Sequence, residues 1–184
     1  MILPIYALGQ PVLEKVGLPI TAEYEGLEEL IENMWETMYN AKGIGLAAPQ
    51  IGLGIRLFLV DTVQMMDDGK EAEGIKMTFI NAKKVQEGGN PYFYEEGCLS
   101  IPDVHGDVER PAQIKLSFLD ADFKEHTKVF SGVNARVIQH EYDHIDGKLF
   151  TEYLKPLKRR RIKRKLENIK KGTIETKYKM KFAR

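Results

Sequence analysis

The stretch VIQHEYDHIDGKLF places His140 and His144 four residues apart, with Glu141 directly after the first histidine. Residues four apart on a helix share a face, so two imidazoles at this spacing can bind one metal ion. A glutamate one position on can then act as a base toward a water that the metal activates. Two histidines in an apolar stripe are commonly just packed and hydrogen-bonded, and for His140 alone that would be the simpler reading. The pair with Glu141 between them favours a metal, because burying two imidazoles without a ligand is costly. The motif by itself does not name a reaction.

A catalytic site of this kind takes three protein ligands and keeps one position open. The extended text H-E-x-x-H-x-x-G-x-x-H is met at Gly147 but has Phe150 where the third histidine belongs. Glu167, downstream, lies among Lys and Arg and reads as a solvated helix-face charge. Upstream, YEEGCLSIPDVHG carries Cys98, the chain's one cysteine, on a loop or strand end before a turn-forming Ser-Ile-Pro. One Cys with two His is compatible with Zn²⁺, Fe²⁺, Co²⁺ or Ni²⁺. Spacing cannot tie positions so far apart, so Cys98 as ligand and Cys98 as a buried structural thiol both stand. His105, in a polar turn, and His126, in a charged HTK context, read as surface residues. That leaves no fourth protein ligand, and an open position favours chemistry over a structural site.

The elements that must position these residues follow from periodicity. The signature helix is expected from about Gly132 to Ile145, with Ser131 as N-cap and Gly147 as a left-handed stop. Val133, Val137, His140 and His144 then fall on one stripe facing the interior. An earlier helix is expected over LEELIENMWETMYNA, with Leu27, Leu30, Ile31, Met34, Trp35 and Met38 at helical spacing. GIGLAAPQIGLG is too rich in glycine for a regular element, and IRLFLVD after it reads as a buried strand ending at Asp61. MTFINAKKV, AQIKLSFLDAD and HTKVFSG have strand-like patterns. Helices with several separate strands give an α+β fold.

The chain's 184 residues and 43% apolar content suit one core, read here as a catalytic domain over residues 1–154 and a basic tail over residues 155–184. The zero net charge hides an asymmetry: residues 155–184 hold 14 Lys or Arg against Glu167 and Glu175, a net of +12, so the body carries −12. Ile162, Leu166 and Ile169 recur at helical spacing in that tail, so a basic amphipathic helix is expected there. Its ending, TIETKYKMKF, reads as a strand or a loose end. No membrane span is expected, because Pro49, Gln50, Arg56 and several glycines break the longest apolar run. The opening residues do not read as a secretion signal, and a lone cysteine suits a reducing cytoplasm.

Three motifs, GIGLAAPQ at 43–50, EGCLS at 96–100 and QHEYDH at 139–144, together resemble the peptide deformylase family, which removes the formyl group from new polypeptides. The resemblance spans most of residues 1–154. It implies small antiparallel or mixed β-sheets wrapped around a central metal-binding helix. It implies Cys98, His140 and His144 as ligands, usually of Fe²⁺, with zinc, nickel or cobalt able to substitute, and Glu141 as general acid and base. By the same matching, Gln50 and the Leu99 backbone N–H become oxyanion donors, and Gly45 pairs its backbone with the N-formylmethionyl peptide. The stripe adds Val133 and Val137 as candidates for the apolar pocket of the substrate's first side chain, methionine in this family. Ordinary core is an equal reading for both valines. Asp143, an acid in the last helical turn, calls for a partner such as a ligand imidazole or a nearby Arg, and Arg110 could pair with a glutamate. The basic tail is a candidate contact to ribosomal RNA. The readings set against a deformylase are an H-E-x-x-H metallopeptidase and an RNA-binding module with a structural metal.

Overall fold

The computed structural model describes residues 1–183. In chain order it contains β1 (Ile5–Tyr6), α1 (Leu27–Asn40), β2 (Gly45–Ala47), β3 (Leu57–Asp61), β4 (Lys76–Gly88), β5 (Tyr92–Cys98) and β6 (Ile101–Arg110). β7 (Gln113–Leu119), β8 (Glu125–Ser131), α2 (Gly132–Ile145), α3 (Pro156–Lys171) and β9 (Met180–Lys181) follow. β2, β3, β4, β7 and β8 form an antiparallel sheet in that order, β5 and β6 a separate hairpin, and β1 and β9 a short parallel pair.

β3 explains the layering. Its five residues are all buried, because a strand covered on both faces has no solvent side on which to place polar residues. Phe58 and Val60 point into the cluster that α2 covers, with Phe79, Phe118, Phe130 and Ile138. Leu57 and Leu59 point the other way, into the cluster with Met34 and Met38 of α1. The sheet is thus packed between the two helices, as an α+β fold requires.

The chain enters α2 from an extended Ser131 and leaves it at Asp146, with Gly147 left-handed at φ 72°. A Cβ on Gly147 would approach the Glu14 backbone to 2.8 Å, so close passage as well as conformation requires glycine there. Every residue from Ala135 to Ile145 is buried. The sequence suggests one apolar stripe, whereas α2 is enclosed all round and each of its polar faces must find partners inside.

Two further expectations are corrected. GIGLAAPQ does contain regular structure: Gly45–Ala47 pairs with Val60, Leu59 and Phe58 as an edge strand, and Ala48–Ile51 forms a tight 3₁₀ turn opened by Pro49. Cys98 does stand at a strand end, the last residue of β5, but the expected Ser-Ile-Pro turn is not one: Ile101 and Pro102 already lie in β6 of a β-hairpin. β6 is paired on one side only, which is where a strand tolerates proline. His105 therefore sits on β6 opposite Gly97, exposed as expected, and His126 lies on β8 with Nε2 2.6 Å from Asp120 Oδ2.

α3 buries Ile162 and Ile169 against Ile101, Val104 and Val108 of β6 and leaves its cationic side outward. The chain then turns at a left-handed Gly172 and comes back as β9 alongside β1. Among the described residues no helix is long and apolar enough to cross a membrane.

Candidate active site

The β5–β6 hairpin folds across α2 and brings Cys98 to the two histidines. Cys98 Sγ lies 3.3 Å from His144 Nε2, and one ligand atom from each of Cys98, His140 and His144 falls within 4.8 Å of the others. His140 and His144 are nearly perpendicular, with ring centroids 5.1 Å apart. Phe150, at the position where a third histidine would stand, is buried with its ring 5.9 Å from His140. It walls the site and offers no ligand.

Strand parity accounts for the next residue. Alternate residues of a strand share a face, so Glu96 points inward with Cys98. Its carboxylate lies 2.9 Å from His140 Nδ1 and accepts from Arg110 Nε at 2.7 Å and Nη2 at 3.0 Å. Arg110 Nη1 also donates to Asp143 Oδ2 at 2.7 Å, which supplies the partner that an acid in the last turn of α2 needs. Arg136, one helical turn before His140, lies 3.6 Å from Glu96 and donates to the carbonyls of Val108 and Tyr92. Burial would raise the Glu96 pKa, but hydrogen bonds from His140 and Arg110 and their charges bring it down to about 2. Glu96 is thus ionised and fixes His140 with Nε2 turned toward Cys98 and His144.

Burial alone would depress His140, yet Cys98, Glu96 and Glu141 hold it well above the usual histidine range. His144 is driven well below that range by burial and by the positive charges of His140 and Arg110, so it is neutral and its lone pair is available. Glu141 is pushed up to about 7 by burial, with His140 opposing and Glu96 adding, and its Oε2 is buried with no hydrogen-bond partner. A soft thiol and two imidazoles converging on one point fit a divalent transition metal.

Gln50 is 1% exposed, which excludes the reading of a surface amide. Its Oε1 accepts from Ala47 N–H at 2.9 Å, so Nε2 is turned toward Ser100 Oγ at 3.3 Å and Cys98 Sγ at 3.5 Å. A Cβ on Gly45 would collide with the Glu141 carboxylate, so only glycine lets β2 pass this close. A groove of about 700 Å³ opens over these groups, lined among others by Gly45, Gln50, Leu99, Val137 and Glu141. Val133 does not line it and packs against the cluster under the sheet. Sequence reasoning missed Glu96 and Arg136; strand parity with Cys98 would have found the first, and helical spacing to His140 the second.

A cysteine and two histidines around one point, with a buried carboxylate on the floor of a groove, is the arrangement of a metal-dependent hydrolase. A family model described as polypeptide deformylase matches residues 2–160. A peptide deformylase of Flavobacterium johnsoniae is 53% identical over 190 residues, covering 100% of this chain and 97% of that protein. One from Cytophaga hutchinsonii is 49% identical, covering 99% and 98%. The crystal structure of a peptide deformylase from Legionella pneumophila superimposes with a TM-score of 0.82 at 37% identity, covering 96% of this chain and 99% of that one. The chain belongs to the polypeptide deformylase family.

Replacing Glu96 with Gln tests the buried network. With the carboxylate gone, Arg110 and Arg136 keep buried charge with less to balance it, and unfolding should become easier by about 3 kcal/mol. Metal affinity should fall on the order of 10–100-fold, read by competition with a chelator. Because the folded-state pKa lies below the ordinary value of 4.5, the carboxylate stabilises above that pH and the contribution fades toward pH 2.

Proposed function

We propose that this polypeptide deformylase, which removes the N-formyl group from newly made polypeptides, does so with a metal held by Cys98, His140 and His144 and with Glu141 as its general acid and base. The observation that carries the reading is the meeting of those three ligand atoms within 4.8 Å beside an unpartnered, buried carboxylate oxygen. Fe²⁺ is the proposed ion, with Zn²⁺, Ni²⁺ or Co²⁺ able to replace it on the same donors. When bound, the ion supplies Lewis acidity toward water and the formyl carbonyl.

The chain's own groups do the rest. Glu141 takes a proton from the attacking water at its free Oε2 and delivers it to the amide nitrogen as formate leaves, and a carboxyl group near pH 7 can move in both directions. Gln50 Nε2 and the Leu99 N–H donate to the formyl oxygen as negative charge builds on it, in a dry site where such donors count most. Gly45 lies on β2, the edge strand of the five-stranded sheet, so its backbone can pair with an extended peptide. Val137 contributes to the pocket for the first side chain, methionine; Val133 supports that pocket from the core side.

A nascent chain as substrate supports a cytoplasmic location, which is proposed for this enzyme. The outward face of α3, with Arg160, Arg161, Lys163 and Arg164 all exposed, is proposed to contact ribosomal RNA.

Substituting Glu141 with Ala should cut formate release from a formyl-methionyl peptide by about 10²–10⁴-fold while bound metal stays at the wild-type level; activity near that of the wild type would remove Glu141 from its role. For the tail, Lys163→Glu with Arg164→Glu should weaken co-sedimentation with ribosomes and reduce its salt dependence, because each lost phosphate contact lowers the salt slope by about one. Ribosome binding unchanged by the double reversal would exclude this face.

A further inference from the structure

The family model ends at residue 160, yet one wall of the groove is built from residues well beyond it, Glu175, Thr176, Lys177 and Tyr178. They reach the site because α3 ends at Gly172, where the left-handed turn reverses the chain and Phe182 packs so tightly that a Cβ would meet its ring at 2.9 Å. The returning segment is then anchored along its length. Ile5 N–H donates to Lys179 O at 2.9 Å, Ala7 N–H to Lys181 O at 2.9 Å, and Gln10 Nε2 to Phe182 O at 2.8 Å. Ile174, Met180 and Phe182 pack into the cluster under α3, so the segment is part of the folded body.

Within it, Tyr178 makes one directed contact with the site: its hydroxyl donates to the Leu99 carbonyl at 2.7 Å. Thr176 Oγ1 donates to the Tyr178 carbonyl at 2.8 Å and shapes the turn that presents the ring. Leu99 is the first of the two residues, Leu99 and Ser100, that connect β5 to β6, and two further bonds hold that connection at Ser100. Leu8 N–H holds the Ser100 carbonyl at 2.9 Å and Gln50 holds the Ser100 hydroxyl at 3.3 Å.

We propose that residues 175–178 complete the substrate groove, and that Tyr178 is a positioning residue that fixes Leu99 through its carbonyl so that the Leu99 N–H stays aimed at the formyl oxygen. This rests on the reading of Leu99 as an oxyanion donor. A donor aimed at charge that develops only in the transition state raises kcat without tightening the ground state. Loosening it should therefore lower kcat and leave KM in place. Glu175 and Lys177 form the exposed rim, which meets the peptide past its first residue.

The test uses the full-length, metal-loaded enzyme. Tyr178→Phe keeps the ring and removes the hydroxyl; kcat per bound metal for a formyl-methionyl tripeptide should fall about threefold to tenfold, the effect of one neutral hydrogen bond, with KM within about twofold. A purely structural tyrosine would lower the melting temperature and leave kcat per bound metal unchanged, and that result overturns the positioning role. As a second measurement on the wild-type protein, hydrogen exchange across residues 173–179 should slow on adding the deformylated product tripeptide. No change there, with protection seen at residues 45–50, overturns the groove wall. Loss of activity in Glu141→Ala together with a fully active Tyr178→Phe would leave the site reading intact and refute this inference alone.

Discussion

The buried carboxylate of Glu96 is the interaction on which the rest of the site depends. It joins an arginine from the end of its own hairpin, Arg110, to a histidine of the central helix, His140, while the same arginine reaches on to Asp143. A buried ion cluster carries a heavy desolvation cost and is weak evidence of stability in itself. What it achieves here is register. With Glu96 locked, Cys98 two residues on is delivered to the face of α2 that carries the histidines. The same contact orients the His140 ring and fixes which nitrogen is free.

That constraint explains why α2 is enclosed on all sides. A helix that carries His140, Glu141, His144 and a partner for Arg110 on different faces cannot leave any of them in water without losing control of their charge. The sheet covers one side through Phe58, Phe79 and Ile138, and the β5–β6 hairpin covers another. The groove lies along a third side, where β2 passes so close to Glu141 that a Cβ on Gly45 would meet its carboxylate.

Much of this was legible in the sequence. The limits of α2 could be read from Ser131 and Gly147, and the meeting of Cys98 with the two histidines from a resemblance that joined GIGLAAPQ, EGCLS and QHEYDH. The buried strand β3 and the basic helix α3 declared themselves through an unbroken apolar run and the spacing of Ile162, Leu166 and Ile169. What stayed hidden was long-range. Glu96 drew no role from the sequence because its partners lie 14 and 44 positions away, and no local pattern reports such a contact. Val133 shares the helical stripe of Val137 and packs against the same core cluster but does not reach the groove, since a stripe fixes the angle around a helix and not what stands opposite each turn. The return of TIETKYKMKF to the groove depended on its pairing with Ile5–Tyr6 at the other end of the chain, which its own alternation could only hint at.

The central claim is that one sulfur and two nitrogens of this chain hold the metal. X-ray absorption fine structure on the zinc-loaded protein tests it most directly. The account predicts one sulfur scatterer at about 2.3 Å and two imidazole nitrogens at about 2.0–2.1 Å, with the remaining ligand a light atom. A first shell with no sulfur, or a sulfur shell that persists in Cys98→Asp, would contradict it.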